Sequence, residues 1–163
     1  LMLPGGEGQT WVRFVESRAD PDYRPFRHMG WNAAELMVQD TDQAAARVAD
    51  SPFRVIGAPA DLSISDKIRA MQAIGPANEG VYLTSFKEKV AAFDVPEAKH
   101  FIDRVFIVVL GGPSCEAIST FYSRHFGVPP AAAVPVKASE ITVARAEGMF
   151  PANITRTMNT QTM

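Results

Sequence analysis

The chain has 163 residues, enough for one well-buried domain and short for two. Its net charge of −2 excludes a general electrostatic attraction to nucleic acid or anionic membranes. The longest apolar run, Val105 to Leu110, is too short to span a bilayer. The single cysteine, Cys115, excludes an intrachain disulfide and favours a cytoplasmic location. Because the first residue is Leu1, a segment of a longer protein is an open alternative.

The first half of the chain alternates short apolar segments with turn residues. Trp11–Glu16 is aromatic and β-branched, which predicts a strand. Thr41 or Asp42 is expected to cap a helix over about 42–50. Gly75–Asn78 predicts a turn, and Gly57 and Pro59 are expected to end a strand. The remaining predicted strands are Ala33–Val38, Phe53–Ile56, Ile68–Ile74 and Val81–Thr84. The predicted order over about 31–86 is β, α, β, β, β.

The second half, over about 103–150, predicts the order β, α, β, β. A buried strand at Val105–Leu110 precedes a helix capped by Ser114, with Gly127 as its left-handed C-cap. Val134–Val136 and Ile141–Ala144 are the next expected strands, and the polar tail after them lacks a strand pattern. The second half therefore lacks a fourth strand. The strand at 11–16 is expected to take that place, either within the chain or between two copies of a swapped homodimer.

The two halves repeat one strand and helix pattern, which suits a duplicated module. The residues that carry this pattern are Leu36–Asp40, Ile74-Gly75-Pro76, Gly80–Thr84, Phe121-Tyr122 and Phe126-Gly127. This pattern resembles the glyoxalase, bleomycin-resistance and extradiol-dioxygenase proteins of the vicinal-oxygen-chelate superfamily. The resemblance implies an α+β fold with paired βαβββ modules, whose curved mixed sheets surround a cavity. One glyoxalase-like domain would then span residues 1–163. A ferredoxin-like dimeric barrel is the alternative fold.

The same resemblance implies a divalent metal, Fe, Mn or Zn, held by His or Glu on the first and fourth strands of each module and acting as a Lewis acid. Those positions fall here at Ala33, Tyr82 and Arg104, and at Arg13 in the N-terminal strand. None is a usual ligand of such a metal. We therefore expect no tightly bound transition metal at a site built from this chain alone. The implied activities are a lyase, an isomerase or a dioxygenase, or metal-free ligand binding as in the bleomycin-resistance proteins.

Four residues are candidates for a site that takes a small oxygenated molecule. Strand alternation places Glu35 on the face opposite Leu36 and Val38, where it is a candidate catalytic base or metal ligand, unless that face is a solvated strand edge. Tyr82 is a candidate substrate-binding hydroxyl, but core tyrosines are common. The other two, both candidate substrate-binding residues, are Arg13 and Arg104.

Each remaining candidate has a structural alternative. Arg13 suits a substrate carboxylate but also an exposed strand position. Arg104 follows Asp103 and is expected to pair with it at the surface. The histidines, His28, His100 and His125, lack the spacing of a helical zinc site.

Overall fold

The computed structural model describes residues 12–26, 29–62, 65–90, 95–111, 114–128 and 155–159, the last as backbone only. The fold is α+β. Its strands are β1 (Gly30–Val38), β2 (Arg54–Leu62), β3 (Ser65–Ile74), β4 (Gly80–Phe86), β5 (Ile102–Gly111) and β6 (Thr155–Asn159). Its helices are α1 (Thr41–Ala49), between β1 and β2, and α2 (Cys115–Phe126), after β5. Neither described helix has the length and apolar character needed to cross a membrane.

The described strands form one mixed sheet in the order β2-β3-β4-β1-β5-β6. β2, β3 and β4 are an antiparallel meander, β4 runs parallel to β1, and β5 runs antiparallel to β1. The predicted order β, α, β, β, β is therefore present in one sheet from Gly30 to Phe86. A ferredoxin-like unit would need a second helix between its third and fourth strands, and here a tight turn joins β3 to β4.

Helix α1 begins one residue earlier than expected, because Asp40 is its N-cap. The Asp40 carboxylate accepts hydrogen bonds from the backbone N–H groups of Asp42 and Gln43, at 2.8 and 2.9 Å. Thr41, one of the two predicted caps, instead lies in the first turn, where its buried hydroxyl donates to the backbone carbonyl of Arg69 at 2.8 Å. The cap assignment to Thr41 or Asp42 was wrong, because the Asp40 carboxylate binds the first backbone N–H groups of the helix, which have no partner within the helix itself.

Strand β2 continues past the residues expected to end it. Gly57 and Pro59 lie inside the strand, which runs to Leu62. A proline is tolerated there because β2 is at the edge of the sheet, where one side of its backbone has no strand neighbour. The predicted turn is present at the other end of β3. The Asn78 N–H donates to the Gly75 carbonyl at 2.9 Å, and Asn78 has a φ of 62°.

The sheet buries apolar side chains on both of its faces. Leu36 and Val38 pack with Ala44 of α1 on one face, which we call the helix face. Met37 points to the other face, where it packs with Phe106 and Ile107. The predicted alternation of β1 is therefore confirmed. A shift of one residue would have exchanged the two faces and moved Glu35 under the helix.

The second half matches its prediction in the strand and helix that the structure describes. Ser114 caps α2 by accepting from the Ala117 N–H at 3.1 Å, and Gly127 is left-handed with a φ of 67°. The strands expected at Val134–Val136 and Ile141–Ala144 lie outside the described residues.

Two expectations for the ends of the chain were wrong. Residues 13–20 form no strand, and Val12 makes only an isolated bridge, so the strand expected over Trp11–Glu16 is not formed in the described part, 12–16. The polar tail does contain a strand, β6, which pairs with β5. That pairing is antiparallel, unlike the parallel pairing of β1 with β4.

Candidate functional site

The face of the sheet away from α1 carries a small group of polar side chains, and we call it the Glu35 face. Glu35 on β1 lies level with Tyr82 on β4, its parallel neighbour. Side chains at paired positions of adjacent strands project from the same face, and alternate residues of one strand share a face. Thr84, two residues beyond Tyr82, therefore projects from this face as well.

The Glu35 carboxylate is anchored by a short hydrogen bond. The Thr84 hydroxyl donates to Glu35 Oε1 at 2.6 Å. Thr84 is 1% exposed and Glu35 is partly buried, so the carboxyl group is poorly hydrated. Burial raises the pKa of Glu35 to about 7, and the bond from Thr84 acts in the opposite direction by stabilising the ionised form. A carboxyl group with such a pKa exchanges protons near neutral pH, as a general acid or base must.

Tyr82 keeps its proton under the same conditions. Burial, and to a lesser degree the negative charge of Glu35, raise the pKa of the Tyr82 phenol above its ordinary value. The phenol therefore remains a hydrogen-bond donor at neutral pH. Phe26 packs edge-on against the Tyr82 ring, with ring centroids 6.1 Å apart. A Cβ at Gly80 would lie 2.6 Å from the Phe26 ring, so the glycine makes room for this contact.

A buried amide lies on the next strand of the same face. Gln72 on β3 is level with Tyr82 and is 8% exposed. Its Oε1 has no hydrogen-bond partner among the described residues. The side chain leans over β2, since a Cβ at Gly57 would meet this oxygen at 2.8 Å. An unpaired buried carbonyl oxygen costs free energy, so it marks a place where a donor is favoured.

The four predicted site residues do not form one group. Glu35 and Tyr82 are neighbours, as described above. Arg13 lies in the irregular segment 13–20 with its side chain exposed, so its assignment to a strand face was wrong. Arg104 donates through Nε to Asp103 Oδ1 at 3.0 Å. The predicted pairing is confirmed, but it is largely buried rather than at the surface, with the two side chains 17% and 0% exposed.

The residues on this face do not suit a divalent transition metal. Ala33, the expected first-strand ligand position, is level with Gly80, whereas Tyr82 is level with Glu35. The Glu35 face thus offers one carboxylate with a threonine and a tyrosine hydroxyl, and such metals prefer imidazole, thiolate or several carboxylates. The described residues contain no group of three His, Cys, Asp or Glu side chains able to hold a metal ion. His125 contacts the Phe121 ring on α2, His100 is exposed before β5, and His28 lies outside the described residues.

Strand alternation from Tyr82 already indicated Thr84 as a member of this face. Sequence reasoning missed two other members, Gln72 and Phe26. Gln72 required the register between β3 and β4. Phe26 is positioned by the irregular segment that precedes β1, for which the sequence has no periodic signal.

No protein-family model, no curated protein sequence and no solved structure matches this chain. Its function must therefore be argued from its own residues.

Proposed function

We propose that the Glu35 face binds a small, uncharged, oxygenated molecule and that Glu35 exchanges a proton with it. The observation that carries this proposal is the partly buried Glu35 carboxyl group, held by Thr84 and level with Tyr82. Its pKa near 7 leaves both the protonated and the ionised form populated at neutral pH. The resemblance to the vicinal-oxygen-chelate proteins supports the same class of ligand.

The chemistry of the face defines the ligand further. Ionised Glu35 accepts a hydrogen bond from a ligand hydroxyl, and the protonated Tyr82 phenol donates one to a neighbouring ligand oxygen. A ligand carboxylate is disfavoured, because the negative charge of Glu35 would repel it in a poorly hydrated place. Two adjacent oxygens, as in catechol or dihydroxyacetone, fit this pair of groups. Completion of the cavity by a second βαβββ module, begun by β5 and α2, is part of the proposal.

A metal-free binding protein is the second candidate, because Ala33 and Tyr82 stand where the resemblance expects metal ligands. The two candidates differ in the role of Glu35. In a binding protein, Glu35→Gln changes the affinity alone. In an enzyme using acid–base chemistry, the same variant retains binding and loses proton transfer to the ligand.

The test is a titration of the protein with catechol and with dihydroxyacetone, followed through the NMR signals of Thr84 and Tyr82. We expect saturable shifts of both signals in the wild type and weaker binding in Tyr82→Phe. Glu35→Gln should retain binding if Glu35 is an acid–base group, and should bind more weakly if the protein only binds its ligand. Arg13→Gln is the matched control, and we expect it to bind as the wild type does. Saturable binding that leaves Thr84 and Tyr82 unchanged would place the ligand elsewhere and refute the proposal.

A further inference from the structure

A cleft lies on the helix face of the sheet, opposite the Glu35 face. Its volume is about 980 Å³, at the upper end of the range of roughly 300–1,000 Å³ that is usual for small-molecule sites. It lies between α1 and the neighbouring strands β1 and β5. The side chains that form its floor include Leu36, Leu83, Val105 and Val108.

The floor of this cleft is a continuous apolar strip. Ala34 and Leu36 of β1 are level with Val108 and Val105 of β5, respectively. A register shift in β5 between Val105 and Ile107 allows the two valines to share the helix face.

The strip stays open because α1 packs mainly against β2, β3 and β4, and contacts β1 at Leu36 and Val38 through Ala44. The rim exposes large apolar side chains, with Trp31 54% and Phe14 50% exposed. Exposed aromatic residues around an apolar floor are typical of a binding surface.

Among the described residues, the lining contains one cationic side chain, that of Arg47 on α1. Its guanidinium carbon lies 3.8 Å from the centroid of the Phe101 ring, so the charge is held over an aromatic face. The two acidic residues of the lining are engaged elsewhere. Asp103 accepts from Arg104 and from the Lys99 N–H, and Glu79 accepts from the Ala77 N–H in its own turn. Within the described part of the chain, Arg47 has no carboxylate partner.

We propose that this cleft binds an amphiphilic monocarboxylate with an unbranched alkyl chain. The chain lies along the apolar strip, where it removes the floor and the rim aromatics from water. The carboxylate lies at the mouth against Arg47, whose planar guanidinium suits a bidentate contact. This site is separate from the Glu35 face, since the sheet lies between them.

The test uses laurate below its micelle concentration and follows methyl signals by NMR. We expect saturable shifts of the Leu36, Leu83 and Val108 methyl groups, with Met37 and Ile107 on the opposite face unchanged. Octanoate, decanoate and laurate should bind progressively more tightly, by about fourfold for each added methylene. Dodecanol, which has no charge, and dodecyltrimethylammonium, which has the opposite charge, should bind more weakly than laurate.

Arg47→Gln should weaken laurate binding by roughly tenfold and leave dodecanol binding unchanged. Arg54→Gln is the matched control, because Arg54 is an exposed arginine of β2 outside the lining. The proposal is wrong if laurate shifts Met37 and Ile107 instead, or if affinity does not depend on chain length. It is also wrong if the two arginine variants lose the same amount of affinity for laurate. Methyl shifts that follow protein concentration without added ligand would show that a second copy occupies the cleft, and would overturn the proposal as well.

Discussion

Replacing Glu35 with glutamine should make the protein more stable at pH 8 and leave it nearly unchanged at pH 4. The pKa of Glu35 is raised from 4.5 to about 7 in the folded protein. Below pH 4.5 the group is protonated in both the folded and the unfolded state, so its burial costs little. As the pH rises toward 7, the unfolded chain releases this proton more readily than the folded one. Stability is therefore lost with rising pH over this window.

The size of this loss follows from the shift in pKa. A shift of one pKa unit corresponds to about 1.4 kcal/mol, so the wild type should lose about 3 kcal/mol between pH 4.5 and pH 7 through this group. Glutamine retains an oxygen for the Thr84 hydroxyl but does not ionise, so Glu35→Gln lacks this component.

The assay is urea denaturation of both proteins from pH 4 to pH 8, compared as the difference in unfolding free energy. Glu97→Gln, at an exposed loop position, is the matched control and should stay within about 0.5 kcal/mol of the wild type. Parallel pH profiles for wild type and Glu35→Gln would refute the reasoning, because they would show that Glu35 titrates alike in both states.

Three further substitutions test individual contacts. Thr84→Val removes the hydroxyl that stabilises the Glu35 carboxylate, so an NMR titration should find the pKa of Glu35 above its wild-type value. Thr84→Ser retains the hydroxyl and should keep the wild-type pKa, and an unchanged pKa in the valine variant would contradict the role of this hydrogen bond. Asp40→Ala removes the cap of α1 and should lower the free energy of unfolding by about 1 kcal/mol in urea denaturation, whereas Asp40→Asn should retain most of the wild-type stability. An alanine variant as stable as the wild type would show that the cap is dispensable. Gly80→Ala places a Cβ 2.7 Å from the Asn32 carbonyl oxygen and 2.6 Å from the Phe26 ring, so it should destabilise the protein by about 1–3 kcal/mol, and a stable variant would show that this contact is not close.

The parts of the fold that were predictable are those with strong periodicity. Leu36 and Val38 alternate with Glu35 and Met37, and this alternation fixed both faces of β1 before the neighbours of the strand were known. Ser114 and Gly127 defined the ends of α2 through local capping chemistry, which needs no tertiary information.

The parts of the fold that were predicted wrongly depend on pairing between strands. The segment Trp11–Glu16 has strand composition, but a strand also needs a partner for its backbone, and propensity cannot provide one. The strand at Thr155–Asn159 has a polar sequence and forms through pairing with β5. Pro59 suits the interior of β2 only because that strand is at the edge of the sheet, a position that is set by the topology.

The candidate site was predictable in part for the same reason. Glu35 was identifiable as a carboxylate on an apolar strand, and Tyr82 as a phenol on the fourth strand. Their juxtaposition is a matter of register, and carrying over ligand positions had placed Ala33 rather than Glu35 opposite Tyr82. Ala33 and Glu35 are two residues apart, so they lie on the same face of β1 but have different neighbours on β4. Arg13 and Arg104 were assigned by pattern alone. Arg13 lies exposed in an irregular segment, and Arg104 pairs with Asp103.

The central claim is that Glu35 exchanges a proton with a ligand near neutral pH, and the carbon-13 NMR titration of its side-chain carboxyl group tests it most directly. The titration is run on the free protein and again in the presence of saturating dihydroxyacetone. The account predicts a pKa of about 7 for the free protein, and a changed titration when the ligand is present, because the ligand hydroxyl contacts the carboxylate. A free-protein pKa near 4.5, the ordinary value for glutamate, or a titration unaffected by the bound ligand would contradict it.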